Sequence, residues 1–415
     1  MKRESTDVLV IGAGPSGTVA ASMTNKAGLK TLIVEKSTFP RFVIGESLIP
    51  RVMDHLDEAG FMDALNKANF QKKFGARFLK DGRVCEFDFS ERFTDGWVWT
   101  WQCPRGEFDA ILAKEVEKQG VPVRYKTGVT GVSFQGNQSE VIIENEQGEK
   151  SIIEAKFIID ASGYARVLPN LMGTAKTAKL PPRKALFVHC KDERRPEGRE
   201  GWMITFVVHR VDIWIWVIPF SNGITSIGVV GNPDFFDEFE GTDEEVIRQI
   251  IEQDPNYRDR FRDTEFLFDV KKLEAYSAST SQMYGPGYAI VGNSVEFLDP
   301  VFSSGVMFAT ESGILAGKLA ARQLKGEEVN WEIEYEKYIQ DAVNVFATYV
   351  KSWYDGALQD VFFVPQPDQG IKRQLSSILA GYVWDKKNPF VRKHDTLVYT
   401  LSKLIREGKM GLVTA

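Results

Sequence analysis

Hydrophobic positions change their spacing three times along the chain. Short unbroken apolar runs, VLVI at 8–11 and TLIV at 31–34, flank a stretch of small residues. Such runs predict strands buried on both faces, with a helix between them. Between 76 and 101 the pattern becomes an alternation rich in Phe and Trp, and it resumes from 180 to 275, predicting antiparallel strands. Within that second stretch, DIWIWVIPF at 212–220 puts Trp214 and Trp216 on one face, and Pro219 ends the strand. TSIGVVG at 225–231 then returns as the other arm of a hairpin. Trp97, Trp99 and Trp101 share one face of a predicted strand, which is either a core face or a pocket wall. From Trp331 onward apolar residues recur at three and four spacing, so the chain turns helical, with PQPDQG at 365–370 as a linker.

Together these elements predict an α/β protein with a discontinuous Rossmann-like domain from 1–75, 102–179 and 276–330. An antiparallel-sheet domain would be inserted from 76–101 and 180–275, and a helical region would occupy 331–415. Residues 105–120 read as an amphipathic helix and 48–59 as another, with Glu46 and Ser47 placed to cap the latter. The helix expected at 306–324 carries Ala309, Gly313, Gly317 and Ala320, small enough for close packing on a neighbour.

Composition narrows the chemistry. A chain of 415 residues with 43% hydrophobic content can bury a large core. Its net charge of -6 excludes a nucleic-acid partner, which would need a basic surface. Cys85, Cys103 and Cys190 are scattered and odd in number, and the four histidines are dispersed, so neither a disulfide framework nor a metal site is expected. No apolar run reaches the length of a membrane span and no signal segment opens the chain, which together predict a cytoplasmic protein without integral membrane association.

The sharpest motif is GAGPSG at 12–17, set between the first strand and a helix, with Glu35 closing the second strand. Gly12 would make the tight turn, Gly14 would admit a pyrophosphate, and Gly17 would let helix and sheet touch. Pro15 and Ser16 begin the helix whose amides face the phosphates, and Glu35 would bind ribose hydroxyls. A second loop, GNSVEFLDPVFSSGV at 292–306, follows an apolar strand and opens a helix at Ser304-Gly305, so its amides could hold an anion. Lys72 and Lys73, taken alone, read as surface charges.

GAGPSG, IGESLIP (44–50), KKFGARF (72–78), Arg105-x-x-x-Asp109, DASG (160–163), WIWVIP (214–219) and DPVFSSGV (299–306) occur in the order that resembles the flavin-dependent halogenases, especially the phenol and carrier-bound branch. That family lies within the FAD-dependent monooxygenases and geranylgeranyl reductase-like enzymes, so the resemblance implies an FAD domain of the p-hydroxybenzoate hydroxylase type. It implies FAD used as FADH2 from a separate flavin reductase, with chloride or bromide and a small aromatic, phenolic substrate. Arg41, Glu46, Ser47, Arg105, Asp160, Gly163, Asn293, Asp299, Pro300 and Gly305 are implied as cofactor contacts. Ser304 and Gly305 would hold halide, Trp214 and Trp216 would bar direct attack on the flavin, and Lys73, with Lys72 as the fallback, would direct hypohalous acid. Two positions depart from the pattern. Asn293 replaces an aspartate, and Phe302 stands where tryptophan halogenases carry a glutamate, which points away from free tryptophan. Two other readings share the scaffold: a monooxygenase or dehydrogenase, including an isoprenoid reductase, and a flavin-binding protein with no turnover of its own.

Overall fold

A computed structural model describes residues 1–136, 138–177, 180–274 and 278–409. At its centre lies the strand Lys2–Ile11, whose residues 8 to 11 are all buried. It pairs in parallel with Thr31–Val34 on one side and with Lys150–Asp160 on the other. Val123–Arg124 and Tyr288–Ile290 extend the parallel order outward on the two sides. Complete burial of residues 8–11 and 31–34, whose side chains alternate between the two faces, explains why these strands read as unbroken apolar runs. The hairpin of Thr127–Gln135 and Gln138–Asn145 continues the sheet antiparallel from the start of Lys150–Asp160.

Two helices of small residues pack on this sheet and on each other. A Cβ on Gly313 would come 2.4 Å from the Ser16 carbonyl oxygen, and one on Gly317 would come 2.7 Å from that of Ala20. Only glycine allows the helix Gly305–Leu324 to approach Pro15–Lys26 so closely.

The second sheet has seven strands, in the order Lys271–Glu274, Lys184–Lys191, Ile224–Gly231, Ile213–Pro219, Thr205–Arg210, Gly75–Lys80 and Arg83–Asp88. Its pairs are antiparallel except for Thr205–Arg210 beside Gly75–Lys80. Period-2 alternation divides each strand between two cores. Ile213, Ile215, Val217 and Val229 pack with Ile247 and Ile250 of the helix Asp243–Gln253, while Trp214, Trp216, Ile218 and Phe206 join the core shared with the first sheet. After Trp331 the chain is helical, with Tyr338–Tyr354, Ala357–Phe362, Gln369–Leu379, Pro389–Arg392 and His394–Arg406 as α-helices. Phe362 seals the sheet edge against Phe78 and Phe87.

Three expectations need correction. Trp97 and Trp99 are not in a strand; only Thr100–Gln102 is extended, and it pairs with Gln71–Lys73 outside the large sheet. The Trp97 amide instead donates to the Tyr382 hydroxyl, 2.7 Å away, so the three indoles meet edge-on in series. The helix predicted from residue 48 begins at Arg51, and neither Glu46 nor Ser47 caps it, because both side chains are committed elsewhere. Lys73 is not a surface charge but is 2% exposed. The expected domain boundaries at 179 and at 275–276 lie outside the described residues.

Candidate active site

A cavity of about 930 Å³ is walled by both sheets. At one end, Gly12 turns the chain with φ +100°, and a Cβ there would meet the Ala161 carbonyl oxygen at 2.6 Å. Gly17 sits tighter still, its hypothetical Cβ 1.9 Å from the Gly12 carbonyl oxygen, and it packs behind the cavity wall. Gly14 faces open space, with the Arg41 guanidinium at 3.6 Å as its nearest neighbour. No side chain caps the helix Pro15–Lys26, so its first-turn amides are left for a ligand at Gly14, Pro15 and Ser16, which line the cavity. Glu35 also lines it and braces the loop, accepting from the Ala13 and Ser37 amides at 2.8 Å. A shaped turn, free helix amides and an acid at the second strand fit the pyrophosphate and ribose of a dinucleotide.

The next wall is the irregular segment around residues 41–47. Asp109 is fully buried and pairs with Arg105 at 2.8 Å and Arg41 at 3.6 Å. Arg105 in turn donates to the carbonyls of Ile44 and Gly45 at 3.0 and 3.3 Å, fixing that segment against the cavity. Glu46 Oε1 lies 2.5 Å from His189 Nε2, while its buried Oε2 has no hydrogen-bond partner among the described residues.

At the far end, Trp214, Trp216 and Ile218 face the cavity from one strand, with Phe206 and Ile204 beside them. Each indole is pinned. Trp216 Nε1 donates to Ser226 Oγ at 3.1 Å, and Gly228 leaves the room its ring needs, since a Cβ there would lie 2.2 Å from it. Trp214 Nε1 donates to the Tyr354 hydroxyl at 2.9 Å, and that hydroxyl donates to Asp299 Oδ2, also at 2.9 Å. Asp299 Oδ1 accepts the Val301 amide, so one carboxylate holds the loop that carries Pro300, Ser303 and Gly305 into the cavity. Burial, then the Asp299 charge, raises the Tyr354 phenol well above its ordinary range, keeping it a donor. Ser303 adopts φ +57°, after which the helix Gly305–Leu324 starts without a side-chain cap among the described residues. Phe302 is buried edge-on to Trp353.

Lys73 stands one layer back. Its Nζ donates to Ser47 Oγ and to the Leu48 carbonyl, both at 2.8 Å, and burial pushes its pKa down to about 7. Ser47 lines the cavity and Lys73 does not. Lys72, the next residue along the strand, lies over the Trp99 ring at 4.7 Å.

Of the residues singled out from sequence, Gly12, Gly14, Pro15, Ser16, Glu35, Arg41, Glu46, Ser47, Arg105, Gly163, Trp214, Trp216, Asn293, Pro300 and Gly305 border one cavity. Gly17, Lys73, Asp160, Asp299 and Ser304 lie off its wall. Asp160 illustrates why: its buried carboxyl, raised by desolvation, accepts the Ser162 and Leu168 amides at 2.9 and 2.7 Å and so shapes the loop carrying Gly163. Sequence reasoning missed His189, Tyr354 and Phe206. Phe206 could have been found by pairing the strands, because it lies opposite Trp216; the other two announce themselves only in three dimensions.

The chain matches the FAD binding domain family over residues 5–276. It is 28% identical to a 1H-pyrrole-2-carbonyl-[peptidyl-carrier protein] chlorinase of Pseudomonas fluorescens, over 93% of this chain and 91% of that protein. With a tryptophan 2-halogenase of Chondromyces crocatus it shares 30% identity over 86% of this chain and 70% of the other. Among solved structures, a flavoprotein/dehydrogenase from Cytophaga hutchinsonii superposes with a TM-score of 0.96 at 54% identity, covering 98% of this chain and all of that one. A flavin-dependent brominase shares the fold with a TM-score of 0.81 at 24% identity, covering 98% of each chain. Among the described residues no helix is long and apolar enough to cross a membrane. Its cofactor is FAD, and the chain belongs to the FAD binding domain family and, within it, to the flavin-dependent halogenases.

Proposed function

We propose that this enzyme halogenates a small aromatic, phenolic substrate with chloride or bromide, using flavin reduced by a separate reductase. The observation that carries this reading is the continuity of one cavity from the dinucleotide cradle to the Trp214 and Trp216 wall, with a buried lysine set directly behind it. FAD, when bound and reduced, supplies the activation of dioxygen.

The chain's own residues account for the rest. Gly12, Gly14, Pro15, Ser16 and Glu35 would hold the adenosine diphosphate portion, and Arg41, Arg105, Gly163 and Asn293 would border the remainder. The first-turn amides at Ser304 and Gly305 would hold halide at the positive end of a 20-residue helix. Pinned indoles at Trp214 and Trp216 would fill the space beside the flavin and keep the arene from reaching it directly. Lys73, poised near neutrality by burial, would then guide the electrophilic halogen towards the substrate. The names of the relatives support the reaction class, in that a pyrrole-carrier chlorinase and a tryptophan 2-halogenase both place halogen on an aromatic ring. The name of the 54%-identical structure supports a second reading, a dehydrogenase on the same cavity.

The deciding experiment supplies purified protein with FAD, a flavin reductase, NADH, oxygen, bromide and monochlorodimedone. Bromide-dependent loss of the probe is expected. Rapid NADPH oxidation by the protein alone, with no halide-dependent product, would establish the dehydrogenase reading instead.

A further inference from the structure

We infer that Ser47 is a proton relay between Lys73 and the contents of the cavity. The inference rests on the lysine reading above, and through Ser47 a side chain absent from the cavity wall takes part in the reaction there.

Lys73 Nζ has two hydrogen-bond acceptors, the Leu48 carbonyl and Ser47 Oγ. A carbonyl has no proton to pass on, whereas a hydroxyl accepts with its lone pairs and donates through its own O–H. Ser47 is therefore the route by which a proton held at Lys73 can reach the cavity, and Ser47 lines that cavity.

The pair is held by a shared scaffold. Lys73 lies opposite Thr100 in the short ladder of Gln71–Lys73 with Thr100–Gln102, and Ser47 bridges Gln102 from the other side. The Leu48 amide donates to the Trp101 carbonyl at 3.0 Å. Gln102 is itself locked: its Nε2 donates to the carbonyls of Pro219 at 2.6 Å and Trp202 at 3.1 Å, and its Oε1 accepts the Ile204 amide at 2.9 Å. Those bonds tie the relay to the end of the strand that carries both indoles, so the relay and the aromatic wall keep a fixed relation. No carboxylate pairs with Lys73 among the described residues, and the Phe89 ring, 5.7 Å away, covers part of its remaining surroundings. Without a counter-ion the ammonium is not held in its charged form, so its proton is available near neutral pH.

The transfer balances. A Lys73 N–H bond breaks as an O–H bond forms at Ser47, while the original Ser47 O–H breaks towards an oxygen of the halogenating species, a hypohalous acid, in the cavity. Serine is regenerated and lysine is left as a neutral amine. The proton that the arene releases on substitution returns along the same path and recharges it.

The test compares Ser47→Ala, Ser47→Thr and Lys73→Met for halogenated product from about pH 6 to about pH 9, with flavin binding and oxygen uptake followed in parallel. Counted per bound flavin and per oxygen consumed, Ser47→Ala should release peroxide and lose roughly a hundredfold in product together with the inflection near neutral pH. Ser47→Thr restores a hydroxyl and should recover both yield and inflection. Wild-type yield and profile in Ser47→Ala would overturn the relay, as would a Ser47→Thr variant as inactive as Ala. Full product from Lys73→Met would overturn the lysine reading itself, whereas an inactive Lys73→Met beside an unaffected Ser47→Ala removes the relay alone. Should Ser47→Ala bind no flavin, a proton inventory of wild-type single turnovers decides: downward curvature fits two protons in flight, and a straight line overturns the relay.

Discussion

At the nucleotide end of the cavity the shape comes from six consecutive residues, 12–17, and from backbone geometry that glycine alone allows. Towards the aromatic end, residues from five separate stretches hold one another in two sets of side-chain hydrogen bonds, Lys73 with Ser47 and Trp214 with Tyr354 and Asp299. The first is specified by steric exclusion, in which a wrong atom has nowhere to go. The second is specified by satisfaction, in which each polar tip inside an apolar wall needs a particular partner. A substitution at the first end should therefore act through space, and one at the second end through an unmade bond.

Gly17→Val should have the largest effect. A Cβ 1.9 Å from the Gly12 carbonyl oxygen forces helix and strand apart, costing about 3 kcal/mol or more in stability and abolishing FAD uptake. Gly14→Ala sharpens the contrast, because its Cβ meets only the Arg41 guanidinium at 3.6 Å. That variant should melt like wild type yet bind FAD more weakly. Thermal melts and FAD titrations on the two proteins separate fold from cradle, and a Gly14→Ala variant that unfolds early would show that both glycines serve packing.

A second effect comes from the buried lysine. Lys73 keeps its proton up to the ordinary 10.5 in the unfolded chain but only to about 7 in the folded one. Between those values the unfolded state binds more protons, so stability rises with pH. The penalty is fully present below about pH 7 and gone above about 10.5. Within that window the slope from this one group approaches about 1.4 kcal/mol per pH unit. Lys73→Met removes the term, so its stability relative to wild type should be greatest near pH 6, on the acid side of that window, and shrink steadily above it. Chemical denaturation across this range measures the difference, and a constant offset would mean that Lys73 titrates normally.

What could be read in advance follows the same division. GAGPSG, the strand at 8–11 and the shared face of Trp214 and Trp216 were legible because local spacing alone determines them. The alternation through Trp97 does not form a strand because the competing bond comes from Tyr382, nearly three hundred residues away, which takes the Trp97 amide and fills the space beside Gly96. Glu46 and Ser47 look like helix caps in sequence, but His189 and Lys73 hold their side chains instead. Alternation did contain one unused clue: Lys72 and Lys73 are neighbours in a strand and must point to opposite sides, so one of them had to turn inward.

The smallest effect concerns the link from the helical region to the aromatic wall. Tyr354→Phe keeps the ring, and with it the Arg183 guanidinium 3.8 Å above it, but deletes the hydroxyl that accepts from Trp214 and donates to Asp299. Stability should fall by about 2 kcal/mol, since two hydrogen bonds of roughly 1 kcal/mol each go with the hydroxyl, while the nucleotide cradle, built from other residues, is untouched. What should change is coupling. Freed from its hydroxyl partner, Trp214 can rotate, and the loop bearing Pro300 and Ser303 loses one of its ties, so more oxygen should be consumed per halogenated product and the apparent KM for halide should rise while flavin oxidation stays constant. Trp214→Phe provides the cross-check, since it removes the same indole N–H while leaving the bond between Tyr354 and Asp299 in place. If the two variants raise the halide KM equally, the indole contact carries the effect; a larger rise in Tyr354→Phe assigns it to the hold on Asp299; and no rise in either would show that the aromatic end, like the nucleotide end, is specified by shape alone.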